Sequence, residues 1–260
     1  MMFSTTSAFI IMTLAATATA LKDGGVYVIG GEQSSVEEYP SIVQMYLLLT
    51  NGDLRFTCGA VIFSKRTVIS AAHCMDGDVK PCNIRIRAGS SRIWKDGHIV
   101  RVRNYQIHPD YDAKNLNANI ALLTLRTRLP LSNVIQPAFI VPSGLGLPEN
   151  HAVQVAGWAM ANSLVYAVLQ KATVYTINHD ECSRRFVAAG YPGLTEDMIC
   201  AGTLDVGGRY LCKSDSGGPL YMDGMLVGIV SKQLKNCTEF PFGKYTKVSA
   251  YTNWIKSNAD

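Results

Sequence analysis

Two segments hold the side chains whose types and surroundings could do nucleophilic chemistry. One runs Cys212-Lys213-Ser214-Asp215-Ser216-Gly217-Gly218-Pro219 and offers a hydroxyl, Ser216, between a carboxylate and a pair of glycines. The other runs Ser70-Ala71-Ala72-His73-Cys74 and offers an imidazole, His73, among small residues. A hydroxyl is a weak nucleophile until a base takes its proton, and histidine is suited to that task near neutral pH. The other four histidines, His98, His108, His151 and His179, stand at no spacing that gathers a metal ion, so neither a metal nor a cofactor is expected.

Such residues need a scaffold, and composition narrows the choice. The chain has 260 residues, 48% hydrophobic and 17% charged, enough for a full core and too apolar for disorder. Its 22 Gly and 10 Pro follow no period, which excludes collagen-like chains, and 7 Cys are too few for a disulfide scaffold. A formal net charge of +4 is mild and implies no nucleic-acid partner. Residues 1–20 carry no charged side chain, and their apolar run 8–16 is followed by Ala18-Thr19-Ala20, the form of a secretory signal with its cleavage site. That run is too short to cross about 30 Å of hydrocarbon. A secreted, extracellular protein with no membrane partner is therefore expected. Export makes cysteine pairing the default, and the sequon Asn236-Cys237-Thr238 becomes a candidate glycan site.

Short apolar runs at 41–49, 56–63, 84–88, 98–102, 120–125, 153–158, 172–177 and 225–230 read as strands. Asn51-Gly52, Asp96-Gly97 and Asp223-Gly224 fall between several of them as hairpin turns. Residues 126–149 contain four prolines and read as a connection between two β units. Residues 248–258 place Tyr251, Trp254 and Ile255 near helical spacing. The fold class is all-β, in two halves, with a closing C-terminal helix.

Together with Cys58-Gly59-Ala60, the two chemical segments resemble the trypsin-like (chymotrypsin-fold) serine peptidases. So do Val28-Ile29-Gly30-Gly31, Ile120-Ala121-Leu122-Leu123, Gly157-Trp158 and Tyr245-Thr246-Lys247-Val248. The resemblance covers residues 28–258. It implies two antiparallel six-stranded β-barrels, about 28–130 and 140–247, a C-terminal α-helix at 248–258, and an active site between the barrels. Residues 21–27 become a propeptide-like segment. The implied disulfides join Cys58 to Cys74, Cys182 to Cys200 and Cys212 to Cys237, which leaves Cys82 over. Ser216 takes the nucleophile's place, His73 the base's, and the backbone N–H groups of Ser214 and Ser216 the oxyanion hole.

Four departures from the family pattern follow. Asn119 stands where the family has an aspartate; an amide holds the wrong imidazole tautomer, and in a trypsin this swap costs about 10⁴-fold in kcat. Ser214 replaces a glycine whose backbone must face the oxyanion, and losing one such donor costs about 10²- to 10³-fold. In the specificity pocket the floor becomes Tyr210 with Leu211 beside it, and the wall reads Ser231-Lys232-Gln233, with Gly243 kept opposite. Asp215 is present to receive a new N-terminus at Val28, but Tyr27 precedes it, so trypsin would not make the cut.

These losses lead to the expectation of a catalytically inactive or severely impaired homologue that acts by binding protein, as a decoy or inhibitor of host or endogenous proteins. Such members resemble arthropod serine-protease homologues, including the inactivated protease paralogues of parasitic mites, related to mite group 3 allergens. The alternative is a slow serine endopeptidase of non-tryptic specificity. A monomer is expected. A partner surface suggests itself at residues 80–103, where Lys80, Arg85, Arg87, Arg92, Lys95, Arg101 and Arg103 face one acid, Asp96. Such a patch attracts acidic protein or glycan surfaces. Its alternation is also that of strands whose arginines simply meet water.

Overall fold

The computed structural model describes residues 31–158, 168–203, 215–231 and 242–260. Within them the apolar runs become two closed antiparallel barrels of six strands each. The first barrel uses β2 (Ile42–Leu48), β3 (Leu54–Ile62), β4 (Thr67–Ser70), β5 (Ile84–Ala88), β6 (His98–Ile107) and β7 (Ala121–Leu125), hydrogen-bonded in the order β2-β3-β4-β7-β6-β5. The second uses β9 (Ala152–Gly157), β10 (Gln170–Thr176), β11 (Met198–Gly202), β12 (Pro219–Met222), β13 (Met225–Val230) and β14 (Phe242–Lys247), and closes where β9 pairs with β10. Two short strands lie outside the ring. β1 (Glu32–Gln33) extends β10, and β8 (Phe139–Ile140), in the proline-rich connection, runs parallel to β13.

Closure removes sheet edges, and period-2 alternation fills each interior. In β6, Val100 and Val102 point inward while Arg101 and Arg103 point out. The turn Asp223-Gly224 joins β12 to β13 with both residues at positive φ (49° and 78°), the backbone that a two-residue hairpin needs.

The chain reads as having one helix, at its end, and the structure adds another. α2 (Val248–Asn258) is the terminal one. The C-terminus beyond it crosses to the first barrel, where the Asp260 carbonyl accepts from Ser64 Oγ at 2.6 Å and Thr67 Oγ1 at 3.0 Å. The additional α1 (His179–Ala188) begins where Asn178 Oδ1 accepts the Glu181 N–H at 2.9 Å. Glu181 then pairs with Arg184 and Arg185 one turn on. Cys182 and Phe186 bury beneath it against Cys200 and Phe242. A cap followed three residues later by glutamate is a helix signal that the β texture around it obscures.

Candidate active site

His73 leaves β4 on a short 3-10 turn, Ala72–Met75, and Ser216 leaves the masonry of the second barrel on the turn 215–218. That turn is packed too closely to accept side chains. Gly217 sits at φ +82°, and a Cβ there would lie 2.3 Å from both the Gly59 carbonyl and Ser70 Oγ. A Cβ on Gly59 would in turn meet Gly218 Cα at 3.0 Å. The first barrel therefore grips the second barrel's turn directly, and the Gly59 N–H donates to the Ser216 carbonyl at 2.8 Å. Ser216 is 4% exposed. Cys74 Sγ lies 4.0 Å from His73 Nε2 and 4.0 Å from the Ser216 carbonyl oxygen, so imidazole and serine flank one sulfur.

Asp215 is buried with its carboxylate against Gly157; a Cβ on that glycine would come within 1.9 Å of Oδ1. The acid also acts on Tyr245 beneath it, whose phenol is held far above its ordinary pKa by burial first and by the Asp215 charge second.

Asn119 is fully buried, and its amide orientation is decided by the backbone. The His73 main-chain N–H can only donate, and it points at Asn119 Oδ1 from 3.0 Å. The NH₂ group is therefore turned to Ser231 Oγ at 2.8 Å and to His73 Nδ1 at 2.9 Å. Asn119 Oδ1 also lies 3.3 Å from Nδ1, but the amide nitrogen is nearer and has no lone pair to offer, so the closer contact assigns Nδ1 as acceptor and the ring proton to Nε2. This is the tautomer that cannot take a proton from a serine hydroxyl. An imidazolium would set Nδ1–H against the amide N–H, donor against donor.

The loop carrying Asn119 is held under strain. Leu116 and Ala118 both adopt positive φ (63° and 46°), a conformation that costs a non-glycine residue about 1 kcal/mol or more. Asp197 at the start of β11 secures it. Its Oδ2 accepts the Ala118 N–H at 3.0 Å and the Tyr251 hydroxyl of α2, while Oδ1 accepts from Thr195. Thr246 Oγ1 on β14 completes the clamp, donating to the Asn119 carbonyl at 2.9 Å. Sequence reasoning does not single out Asp197 and gives Thr246, within Tyr245-Thr246-Lys247-Val248, no role at the site, because both reach Asn119's loop from far along the chain.

Of the remaining candidates, Ser231 and Gly243 are both buried, Ser231 against Asn119 through the bond just described and Gly243 in β14 opposite Ala201. Cys58–Cys74 and Cys182–Cys200 are disulfides, and Cys82 is free and exposed. Cys58, His73 and Cys74 bring three potential metal donors within 4.8 Å of one another, but the two sulfurs are bonded to each other and have no thiolate to give. Tyr210, Leu211, Lys232 and Gln233 of the expected specificity pocket, Ser214 of the expected oxyanion hole, Val28 as the expected new N-terminus, and the pair Cys212 and Cys237 lie outside the described residues, as do Asn236 and residues 1–20.

Three comparisons bear on this geometry. A family model described as Trypsin matches residues 28–255. Trypsin, alkaline C, of Manduca sexta is 36% identical over 237 residues, covering 89% of this chain and 91% of its own. Trypsin CFT-1 of Choristoneura fumiferana is 33% identical over 260 residues, covering 98% and 99%. Among solved structures, the scabies mite inactivated protease paralogue S-D1 is similar with a TM-score of 0.77 and 26% identity, over 88% of this chain and 96% of that one.

Proposed function

Because the chain belongs to the trypsin family of serine peptidases, we propose that it is a secreted homologue whose catalysis is lost or severely impaired and whose work is to bind protein, as a decoy or inhibitor. The observation that carries this reading is the Asn119 amide. Its oxygen accepts the His73 main-chain N–H and its nitrogen is the amide atom nearer Nδ1, which assigns the imidazole proton to Nε2 and leaves no lone pair there to act as a base. Such a swap alone removes about 10⁴-fold of kcat in a trypsin. The changes at Tyr210, Ser214 and Gln233 fall on the residues that would seat a substrate and its oxyanion. Effects within one catalytic unit are not additive, so the total is not the product of the separate losses.

Two further features agree with this reading. The similar mite structure is of a protein described as inactivated. Two disulfides suit an oxidising, extracellular compartment. The competing reading, a slow endopeptidase of non-tryptic specificity, draws on the relatives named as trypsins and on the close-packed turn that presents Ser216.

A fluorophosphonate probe separates the two. Protein cleaved after Tyr27 is expected to label at Ser216 no faster than a denatured control, and to hydrolyse no peptide. Labelling at a rate comparable to an active trypsin would remove the premise of a binding role.

A further inference from the structure

The strand register sorts the bases of residues 80–103 in a way that their order along the chain does not. Arg85 on β5 lies directly opposite Arg101 on β6. On the other side of β6, Val102 pairs with Leu125, and the Arg126 N–H donates to the Arg101 carbonyl at 2.8 Å. Arg126 thus continues the same row one strand further. Arg85, Arg101 and Arg126 occupy one row of adjacent register positions, with backbones at the ≈ 4.5–5.5 Å spacing of cross-strand partners. Arg103, two residues along β6 and exposed, extends the row lengthwise. Arg87 leaves the set: it is buried, donates to the Asp96 carbonyl and lies over the Tyr46 ring.

This arrangement works against the fold. Like charges directly opposite one another destabilise a sheet. Among the described residues, no carboxylate forms an ion pair with Arg85, Arg101, Arg103 or Arg126 to offset it. Burial and then the Arg101 charge hold the Arg85 guanidinium below its ordinary pKa. Arg85 is also fixed in place, with Nη1 donating to the Cys82 carbonyl at 2.6 Å and the Ile84 carbonyl at 3.1 Å. Ile99 is the one large apolar side chain exposed on these two strands.

We propose that the outer face of β5, β6 and the end of β7 is a binding surface for a sulfated glycan. A linear polyanion meets a row of guanidinium groups with closely spaced sulfates, each matching the planar fork of an arginine. It needs no apolar anchor. A protein partner draws most of its affinity from buried aromatic or aliphatic residues in pockets, and this face offers a single exposed aliphatic side chain, Ile99. The inference stands on residues remote from Ser216, so it survives or fails separately from the loss of catalysis.

The test is binding of a heparin oligosaccharide to the full-length protein across a salt series. The Arg101→Ser/Arg126→Ser double variant changes two exposed side chains, and Arg184→Ser on α1 serves as a control for the loss of an arginine elsewhere on the surface. The double variant is expected to bind about tenfold more weakly at physiological ionic strength. The slope of log affinity against log salt should flatten by about two, one for each lost contact, as in other polyanion complexes. Arg184→Ser should bind like the parent protein, and polyglutamate and unsulfated hyaluronan should bind more weakly than heparin. No heparin binding, or equal binding by parent and double variant, overturns the proposal. Polyglutamate binding as tightly as heparin also overturns it, and would assign the face to an acidic protein.

Discussion

The turn that carries Ser216 and the loop that carries Asn119 face one centre but are held by different means. The turn is fixed by steric closeness: a methyl group on Gly217 would strike backbone and side chain of the other barrel at 2.3 Å. The loop is fixed by hydrogen bonds to Asp197 and Thr246, and Asn119 has nearly the shape of the aspartate it replaces. A change in the turn would cost the fold, whereas a change from carboxylate to amide leaves the fold satisfied and alters only the proton on His73. Geometry therefore persists where packing demands it, and chemistry goes where an isosteric swap costs the structure nothing.

Restoring the carboxylate should break that contrast most sharply. Asn119→Asp is expected to raise the rate of fluorophosphonate labelling at Ser216 by about 10³- to 10⁴-fold. Peptide hydrolysis should rise little, even with Ser214→Gly added, until Tyr210 and Gln233 are also changed. Full peptidase activity from the double change alone would mean that the specificity pocket is open.

In the turn, Gly217→Ala should cost about 3 kcal/mol or more in denaturant unfolding, through a backbone at φ +82° and a collision with Gly59 and Ser70. A loss under 1 kcal/mol would show that the turn yields easily and that its form is no sign of steric control.

In the loop, Asp197→Asn should destabilise by about 2 kcal/mol, because the buried hydroxyls and the Ala118 N–H lose a charged acceptor. Its particular signature is loss of the hydrogen-exchange protection of the Ala118 amide while β2 and β3 stay protected. Equal loosening of both barrels would contradict a local clamp.

A smaller effect belongs to β14, where Lys244 is buried below α1. The Lys244 ammonium lies 4.4 Å over the Phe186 ring and donates to the Pro192 and Gly193 carbonyls, and burial lowers its pKa from 10.5 to about 8. Below pH 8 both folded and unfolded chains hold the proton, and the cost of the buried charge is present in full. Between about pH 8 and 10.5 the unfolded chain holds a proton that the folded one has released, so this group's contribution to stability rises with pH. The rise is expected to be about 1–2 kcal/mol in urea unfolding and to vanish in Lys244→Met. A fall in the parent protein over pH 8–10, absent from the variant, would reverse the sign argued here.

Much of this was legible along the chain, for reasons particular to each part. Alternation in 84–88 and 98–102 marks β5 and β6 because each strand has one buried face. The His73 and Ser216 motifs locate the centre, and Asn119 stands out by its place before Ile120-Ala121-Leu122-Leu123. α1 was missed although Asn178 and Glu181 carry its cap, because its apolar residues are few: Cys182 and Phe186 alone are buried. Asp197 was missed because its partners, Ala118 and Tyr251, lie 79 and 54 residues away. The row of Arg85, Arg101 and Arg126 depends on strand register, which composition does not record.

Loss of catalysis turns on one proton, and nitrogen-15 NMR of the His73 ring at neutral pH observes it directly. An unprotonated Nδ1 accepting from Asn119 and a protonated Nε2 are expected, with the two reversed in Asn119→Asp. A protonated Nδ1 in the parent protein, leaving Nε2 free to accept from Ser216, would contradict that assignment.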